Sequence, residues 1–195
     1  MKINFTIVFL LAATFSWKLF AQVTSNTHFT HLTTQDGLSN NWITCIVQDK
    51  TGYIWIGTQD GLNRYDGMHF KIYKHKPKNN NSLPNNIITG IAFDKTGLVW
   101  VGTNNGLCSI DLFTDSVTRY SRIPGQQNSL SNNFIFQPFV DHNNELWIGT
   151  DSGFNYFDRR TKSFKHYFIS TPAELGSQNF SNRVVKILQD DQNNL

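Results

Sequence analysis

The side chains that could catalyse a reaction are few in this sequence and lie far apart. Its six histidines form no H-x-x-x-H pair, and no G-x-S-x-G or P-loop motif occurs. Asp190 and Asp191 are the only adjacent carboxylates. The segments DKTG and DQNN are similar to the start of a calcium loop but lack its regular oxygen ligands and final glutamate. We therefore predict no catalytic residue, no metal site and no cofactor.

Residues suited to ligand binding occur at one recurring place. Four similar segments each contain an asparagine followed by a residue that differs from copy to copy. These pairs are Asn41 and Trp42, Asn86 and Ile87, Asn133 and Phe134, and Asn182 and Arg183. An exposed Trp or Phe could stack on a sugar ring, and an Arg could hydrogen-bond to its hydroxyl groups.

The candidate ligand-binding residues are Asn41, Trp42, Asn86, Asn133, Phe134 and Arg183. Two alternatives remain open for them. The shared asparagines could form turn or strand-entry hydrogen bonds, as asparagine often does. The apolar residues that follow them could belong to an ordinary protein core.

The segments that carry these residues are copies of one unit. The copies are LSNNWITCIVQDKTGYIWIGTQDGLNRYD from Leu38, LPNNIITGIAFDKTGLVWVGTNNGLCSID from Leu83 and LSNNFIFQPFVDHNNELWIGTDSGFNYFD from Leu130. In each, the tryptophan follows an aspartate by six positions, as Trp55 follows Asp49. A fourth copy starts near the end, and the sequence stops one position before its expected tryptophan. We therefore expect a piece of a longer protein.

Each copy predicts four short antiparallel strands. Apolar and β-branched runs such as 43–47 and 53–56 alternate with turn formers such as KTG and QDG. A third run follows the second turn, and a fourth contains aromatic residues such as Phe70 and Tyr73. Four strands in about 45 residues are typical of a β-propeller blade.

A blade lies between two other blades, so both of its faces are buried. We predict that the repeated tryptophans fill the wedge between blades. The glycines two positions later would permit close approach of the backbone. These structural residues are Trp55, Gly57, Trp100, Gly102, Trp147 and Gly149.

The predicted organisation follows the repeat. Residues 1–21 form a signal peptide, because an apolar run follows an early lysine and Ala21 suits cleavage. Residues 22–37 form an N-terminal strand that could close a ring, because Phe29 and Leu32 have the same spacing as Phe70 and Tyr73 in the fourth strand. Blades 1, 2 and 3 span 38–82, 83–129 and 130–178, and 179–195 starts a truncated fourth blade. The predicted fold is all-β, with about three and a half blades of a seven-bladed propeller.

Composition and cysteine usage narrow the possible functions. A net charge of +3 with 16% charged residues argues against a nucleic-acid partner, which needs a dense basic face. Export would permit a disulfide between Cys45 and Cys108. Because these residues occupy different positions of the repeat, we favour two unpaired, buried thiols.

The sequence GYIWIGTQDGLNRYD, preceded by LSNNWITCIVQD, resembles the two-component regulator propeller repeat. The resemblance covers roughly residues 38 to 195. It implies the periplasmic sensor part of a hybrid histidine kinase, and many such sensors respond to oligosaccharides. The implied partners are an oligosaccharide, the remaining blades and kinase part of the parent chain, and a second copy in a homodimer. The parent would be anchored in the inner membrane.

Our main prediction is therefore a ligand-sensing, extracytoplasmic propeller segment that is not itself an enzyme. One alternative is a propeller enzyme such as a lyase, which would need a cluster of His and Glu at the mouth of the central channel. Another is a non-catalytic propeller that binds proteins.

Overall fold

The structure is a computed structural model that describes residues 29–168 and 182–195. Backbone contacts divide the chain into two units, Met1–His31 and Leu32–Leu195. All strands of the described part belong to the second unit, and residues 29–31 of the first have no regular secondary structure. The expected signal peptide, 1–21, lies outside the described residues. Across the described ranges, no helix has the length and apolar character needed to cross a membrane.

Twelve strands form three sheets of four within the described residues. Blade 1 contains β1 (Ile43–Gln48), β2 (Ile54–Thr58), β3 (Gly61–Tyr65) and β4 (Phe70–Tyr73). Blade 2 contains β5 (Ile88–Phe93), β6 (Leu98–Thr103), β7 (Gly106–Asp111) and β8 (Val117–Tyr120). Blade 3 contains β9 (Ile135–Val140), β10 (Leu146–Thr150), β11 (Gly153–Asp158) and β12 (Ser163–Tyr167).

Every sheet follows the order of the chain, and all neighbouring strands are antiparallel. The first strands of successive blades, β1, β5 and β9, lie side by side. The predicted fold class, all-β with four-stranded propeller blades, is confirmed.

The expected N-terminal strand, 22–37, does not occur in the part of it that is described, 29–37. A short 3-10 helix, Thr34–Asp36, takes its place. Thr33 and Asp36 form a capping box in which the Asp36 carboxylate accepts from the Thr33 amide at 2.8 Å. Gly37 then ends the helix with φ 103°. Local capping therefore overrides the apolar spacing of Phe29 and Leu32 that suggested a strand.

The blades are joined by their tryptophans. At the first joint, between blades 1 and 2, the Trp55 ring lies edge-on to Phe93 of blade 2, with centroids 6.0 Å apart. At the second joint, between blades 2 and 3, Trp100 meets Phe157 of blade 3 at 5.1 Å. Both tryptophans are fully buried, whereas Trp147 of blade 3 is only partly buried. The tryptophans of blades 1 and 2 are thus each covered by the blade that follows.

A carboxylate fixes each tryptophan. Oδ2 of Asp49 accepts from the Trp55 indole nitrogen at 2.8 Å, and the matching distances in blades 2 and 3 are 3.0 and 3.1 Å. Oδ1 of the same aspartate accepts from two amides of its own turn, those of Thr51 and Tyr53 in blade 1. The constant spacing of six positions therefore reflects one hydrogen-bonded unit that joins the turn to the core residue.

The repeated glycines lie where the next blade approaches. A β-carbon on Gly57 would lie 2.7 Å from Cγ2 of Ile88, and one on Gly102 would lie 2.8 Å from Cγ2 of Ile135. These distances are shorter than real carbon contacts, so a larger residue would push the first strand of the following blade away.

The last described segment, 182–195, follows blade 3 without forming a strand. The Val184 amide donates to the Thr150 carbonyl at 2.9 Å, and Ile187 is buried. The Asp190 carboxylate accepts from the amides of Gln192 and Asn194, as the corresponding aspartates do in the blades. The segment thus packs on blade 3 and repeats the aspartate turn.

An ion pair crosses the second joint. Nη1 of Arg159 donates to Oδ2 of Asp94 at 2.8 Å, and its other nitrogens donate to the Asn144 carbonyl. The Asp94 side chain is fully buried. Burial opposes its ionisation, but hydrogen bonds from Thr96, Trp100 and Arg159 outweigh this effect and hold the pKa of Asp94 below its ordinary value of 3.8.

Blade 2 differs from its neighbours at a buried polar pair. In blade 1, Oδ1 of the buried Asn63 accepts from the Ser39 amide at 2.9 Å, and Asn155 and Ser131 repeat the contact at the same distance in blade 3. Blade 2 has Pro84 in place of the serine and Cys108 in place of the asparagine. Proline has no N–H to donate, and the buried cysteine needs none.

Both cysteines are free; the predicted burial holds for Cys108 but not for Cys45. Cys108 is fully buried, and this burial raises the pKa of its thiol to about 12. Cys45 is partly buried, and its thiol pKa is also raised by burial. Both sulfurs are therefore protonated at neutral pH and behave as small apolar groups.

We expect Cys108→Asn alone to lower the free energy of unfolding by about 1–3 kcal/mol, because the new amide would be buried without its serine partner. Adding Pro84→Ser should recover at least half of this loss. Chemical denaturation of the two variants and the parent chain measures the coupling. A double variant no more stable than the single variant would contradict the proposed pairing.

We expect Asp94→Asn to cost about 1–3 kcal/mol at pH 7, because an amide nitrogen would face the donors of Trp100 and Arg159. Since the folded-state pKa of Asp94 is depressed, its carboxylate stabilises the fold above pH 3.8, and this contribution is lost as the pH falls through the folded-state pKa. The stability difference should therefore shrink in acid. Denaturation between pH 7 and pH 3, with the exposed Asp191→Asn as control, tests this; a pH-independent difference would contradict it.

Candidate ligand-binding face

The residues that differ between copies lie at one end of the blades. Trp42, Ile87 and Phe134 each directly precede the first strand of a blade. Their carbonyl groups each accept from an amide of the β2–β3 turn or its equivalent, at 3.2 Å in all three blades. The donors of these hydrogen bonds are Gln59, Asn104 and Asp151. We call Trp42, Ile87, Phe134, Arg183, Gln59, Asn104 and Asp151 together the upper face.

Two of the predicted aromatic residues are open to solvent. Trp42 is 66% exposed and Phe134 is 36% exposed, whereas Ile87 is about half-buried. Trp42 borders a shallow open depression together with Asn40, Asn41 and Ile43. Ile87 lies between two described blades and fits the core alternative best, whereas no blade precedes Trp42 among the described residues, so both alternatives stay open for its indole.

Arg183 and the aromatic residues of blade 3 form a cluster. Nε of Arg183 donates to Oδ1 of Asp151 at 2.7 Å. Its guanidinium carbon lies 5.3 Å from the centroid of the Phe136 ring, which lies 4.9 Å from that of Phe134. Since both charged side chains are about half exposed, solvent screens the ion pair and it adds little stability.

The side chains of three shared asparagines accept hydrogen bonds from backbone amides. Oδ1 of Asn86 accepts from the amide of His75, just beyond the last strand of blade 1, at 2.7 Å. Asn133 accepts from the Arg122 amide in the same way, and Asn41 accepts from that of Thr34. The Asn86 carbonyl also accepts from the Gly61 amide of blade 1. These contacts favour the alternative that the asparagines join one repeat to the next.

The structure therefore separates the predicted binding residues into groups. Phe134 and Arg183 come together through Phe136, whereas Trp42 lies two blades away and has no ring contact with them within the described residues. Gln59, Asn104 and Asp151 were not predicted. A signal for them exists, because they are the residues after the repeated Gly-Thr, where the three copies differ.

The described residues also bear on metal chemistry. Within 29–168 and 182–195, no group of three or more His, Cys, Asp or Glu side chains is placed to hold a metal ion. The carboxylates of the repeated turns accept from their own backbone amides, as Asp49, Asp94 and Asp141 show. Their role in the described structure is to hold turns.

Known proteins share both the repeat and its fold. Residues 37–60 and 82–105 match the family model described as two component regulator propeller. A stretch of 59 residues is 48% identical to Histidine kinase P4 of Formosa agariphila and covers 30% of this chain but 4% of that protein.

Among solved structures, the extracellular domain of BT3049 of B. thetaiotaomicron, described as a hybrid two component system, is similar at a TM-score of 0.66 and 30% identity. The match covers 71% of this chain and 20% of that one. A virginiamycin B lyase from Staphylococcus aureus shares the fold alone, at a TM-score of 0.51 and 16% identity over 70% of this chain and 45% of its own. Residues 37–60 and 82–105 thus match the two-component regulator propeller model, and the repeated unit that contains them folds as a β-propeller blade.

Proposed function

We propose that this chain is part of a ligand-sensing propeller outside the cytoplasm and that its ligand is an oligosaccharide. The similarity to an extracellular domain of a hybrid two component system supports the sensing role. In this proposal residues 1–21 direct export to the periplasm. The remaining blades and the kinase belong to the same parent protein, which is a homodimer anchored in the inner membrane.

The observation that carries the proposal is the contrast between a constant frame and a variable face. The aspartate, tryptophan and glycine contacts recur in all three blades. At the upper face, by contrast, the equivalent positions carry an indole, an aliphatic group, a phenyl ring and a guanidinium group. A rigid scaffold that presents unlike side chains at equivalent places is the usual arrangement of a binding surface.

The chemistry of the upper face suits a sugar chain. Trp42 offers a flat apolar surface for the C–H face of a sugar ring. Gln59 and Asn104 supply paired donors and acceptors, and Arg183 with Asp151 supplies charged ones. Since these groups come from different blades, an extended ligand with several rings fits them better than a single sugar.

Binding can produce a signal only if the ligand prefers one arrangement of the receptor over another. An oligosaccharide bound across the upper face would contact more than one blade and the segment after blade 3. Its affinity would therefore depend on the spacing of these parts. In our proposal this preference is passed to the kinase through the arrangement of the homodimer.

We expect Trp42→Ala to weaken oligosaccharide binding about tenfold, equivalent to ~1.4 kcal/mol, because the stacking surface is lost. The measurement is isothermal titration of the protein expressed from its complete reading frame with neutral gluco-, manno-, xylo- and galacto-oligosaccharides. Because Trp42 is largely exposed, the melting temperature should hardly change.

Met68→Ala is the matched control, since Met68 is 80% exposed and lies at the opposite end of blade 1. It should leave binding unchanged, whereas Arg183→Gln should weaken it. Failure of every tested oligosaccharide to bind would contradict the proposed ligand class. Equal binding by the parent protein, Trp42→Ala and Arg183→Gln would contradict the proposed face.

A further inference from the structure

A second concave surface lies at the other end of the blades. This joint groove runs along the first joint beside the β1–β2 and β5–β6 turns, extends to the β9–β10 turn of blade 3 and has a volume of about 640 Å³. Ligand pockets usually occupy about 300–1,000 Å³. Three aromatic side chains, Tyr53, Phe93 and Phe113, line it. The groove is separate from the upper face, because its residues lie at the opposite ends of the first strands.

The outer wall of the groove is an exposed phenyl ring. Phe113 is 88% exposed, and its ring lies so close to Gly97 that a β-carbon there would be 3.0 Å from it. The Asp111 carboxylate accepts from the amides of Phe113 and Thr114 and fixes the backbone of this turn. The turn therefore places the ring beside Gly97, and solvent reaches most of its surface.

The groove also contains an arginine whose donors are free. The guanidinium carbon of Arg64 lies 4.7 Å from the centroid of the Tyr53 ring and 5.8 Å from that of Trp55. Throughout the described ranges the Arg64 side chain makes no ion pair and no hydrogen bond, although its backbone pairs with Trp55 and Lys71 in the sheet. The Asp115 carboxylate accepts hydrogen bonds from Lys71 and from the Tyr73 hydroxyl, which lower its pKa most, and the charge of Arg64 lowers that pKa further.

The second joint shows how unusual this arginine is. There Arg159 lies 6.0 Å from the centroid of the Trp100 ring, close to the separation of Arg64 from Trp55. Its donors are taken by Asp94 and by the Asn144 carbonyl. At the first joint, Leu112 occupies the chain position of Arg159, directly after the aspartate that ends the third strand. At the first joint, the Arg64 guanidinium group thus lies near Trp55 but lacks hydrogen-bond acceptors like those that Arg159 has at the second joint.

The carboxylates that line the groove do not remove this charge. Asp49 accepts from two turn amides, from the Thr51 hydroxyl and from the Trp55 indole, so its oxygens are occupied. Asp94 is paired with Arg159, and Asp141 accepts from two amides of its own turn and from the Trp147 indole. Lys50 and Lys95 also line the groove, but the three carboxylates offset their charge, so a single carboxylate fits better than a phosphate or a sulfate cluster.

We propose that the joint groove binds a ligand in which a carboxylate is attached to a six-membered ring. The carboxylate takes the fork of donors on Arg64, a geometry that arginine forms with two parallel hydrogen bonds. The ring lies between Phe113 and Tyr53, the aromatic sides of the groove. An acidic sugar and an aromatic acid both have this chemistry, and the test distinguishes them.

The test is isothermal titration of the protein from its complete reading frame with D-glucuronate and with benzoate. The neutral analogues D-glucose and benzyl alcohol serve as references. We expect at least one carboxylate to bind at millimolar concentration and its neutral analogue to bind about tenfold more weakly. Binding of glucuronate alone identifies an acidic sugar, and binding of benzoate alone identifies an aromatic acid.

Variants then locate the site. Arg64→Gln should weaken carboxylate binding by about tenfold or more, and Phe113→Ala should weaken it as well. Arg122→Gln, which changes an exposed arginine far along the chain, is the matched control and should have no effect. If Arg64→Gln does not fold, Phe113→Ala decides, because its ring is almost fully exposed.

Two results would overturn the proposal: neither carboxylate binds at millimolar concentration, or the folded Arg64 and Phe113 variants bind as tightly as the parent. Trp42→Ala should leave carboxylate binding intact. The groove and the upper face can therefore succeed or fail independently.

Discussion

The hydrogen bond between a turn carboxylate and a buried indole is the interaction on which the rest of this structure depends. It fixes the tryptophan that closes each joint, and the same carboxylate holds the turn that starts the second strand. A lone indole N–H buried between sheets would be costly, and a lone buried carboxylate more so. Each therefore requires the other, which explains why Asp49 and Trp55 recur together at constant spacing.

Much of this frame could be predicted from the sequence because it repeats. Three copies of the spacing between Asp49 and Trp55 expose the unit, its strands and its turns without any other information. Contacts between copies are harder to predict where they occur only once. Nothing in the sequence pairs Arg159 with Asp94, which lie 65 positions apart. The expected strand near Leu32 was wrong in its described part because a local capping box, which acts over three residues, outweighed a weak apolar pattern.

The candidate binding residues were predicted for a related reason. Where three copies agree, the shared side chain turned out to hold the frame, as Asn86 does by linking blades 1 and 2. Where they differ, as at Trp42 and Phe134, the side chain reaches solvent. The sequence could not show that Arg64 lacks a partner, because this depends on which side chain of the neighbouring blade fills the joint.

The polar pairs of this chain also differ in how well they would survive rearrangement of its gene. Ser39 and Asn63 lie in the same blade, so a duplication or exchange of whole blades would carry both partners together. The same exchange would keep Pro84 and Cys108 together, because both lie in blade 2. Arg159 and Asp94 belong to different blades, and recombination between them would leave the buried Asp94 carboxylate without its partner. The ion pair of Lys71 with Asp115 likewise joins different blades across the first joint, so an exchange of single blades would separate charged partners at both joints.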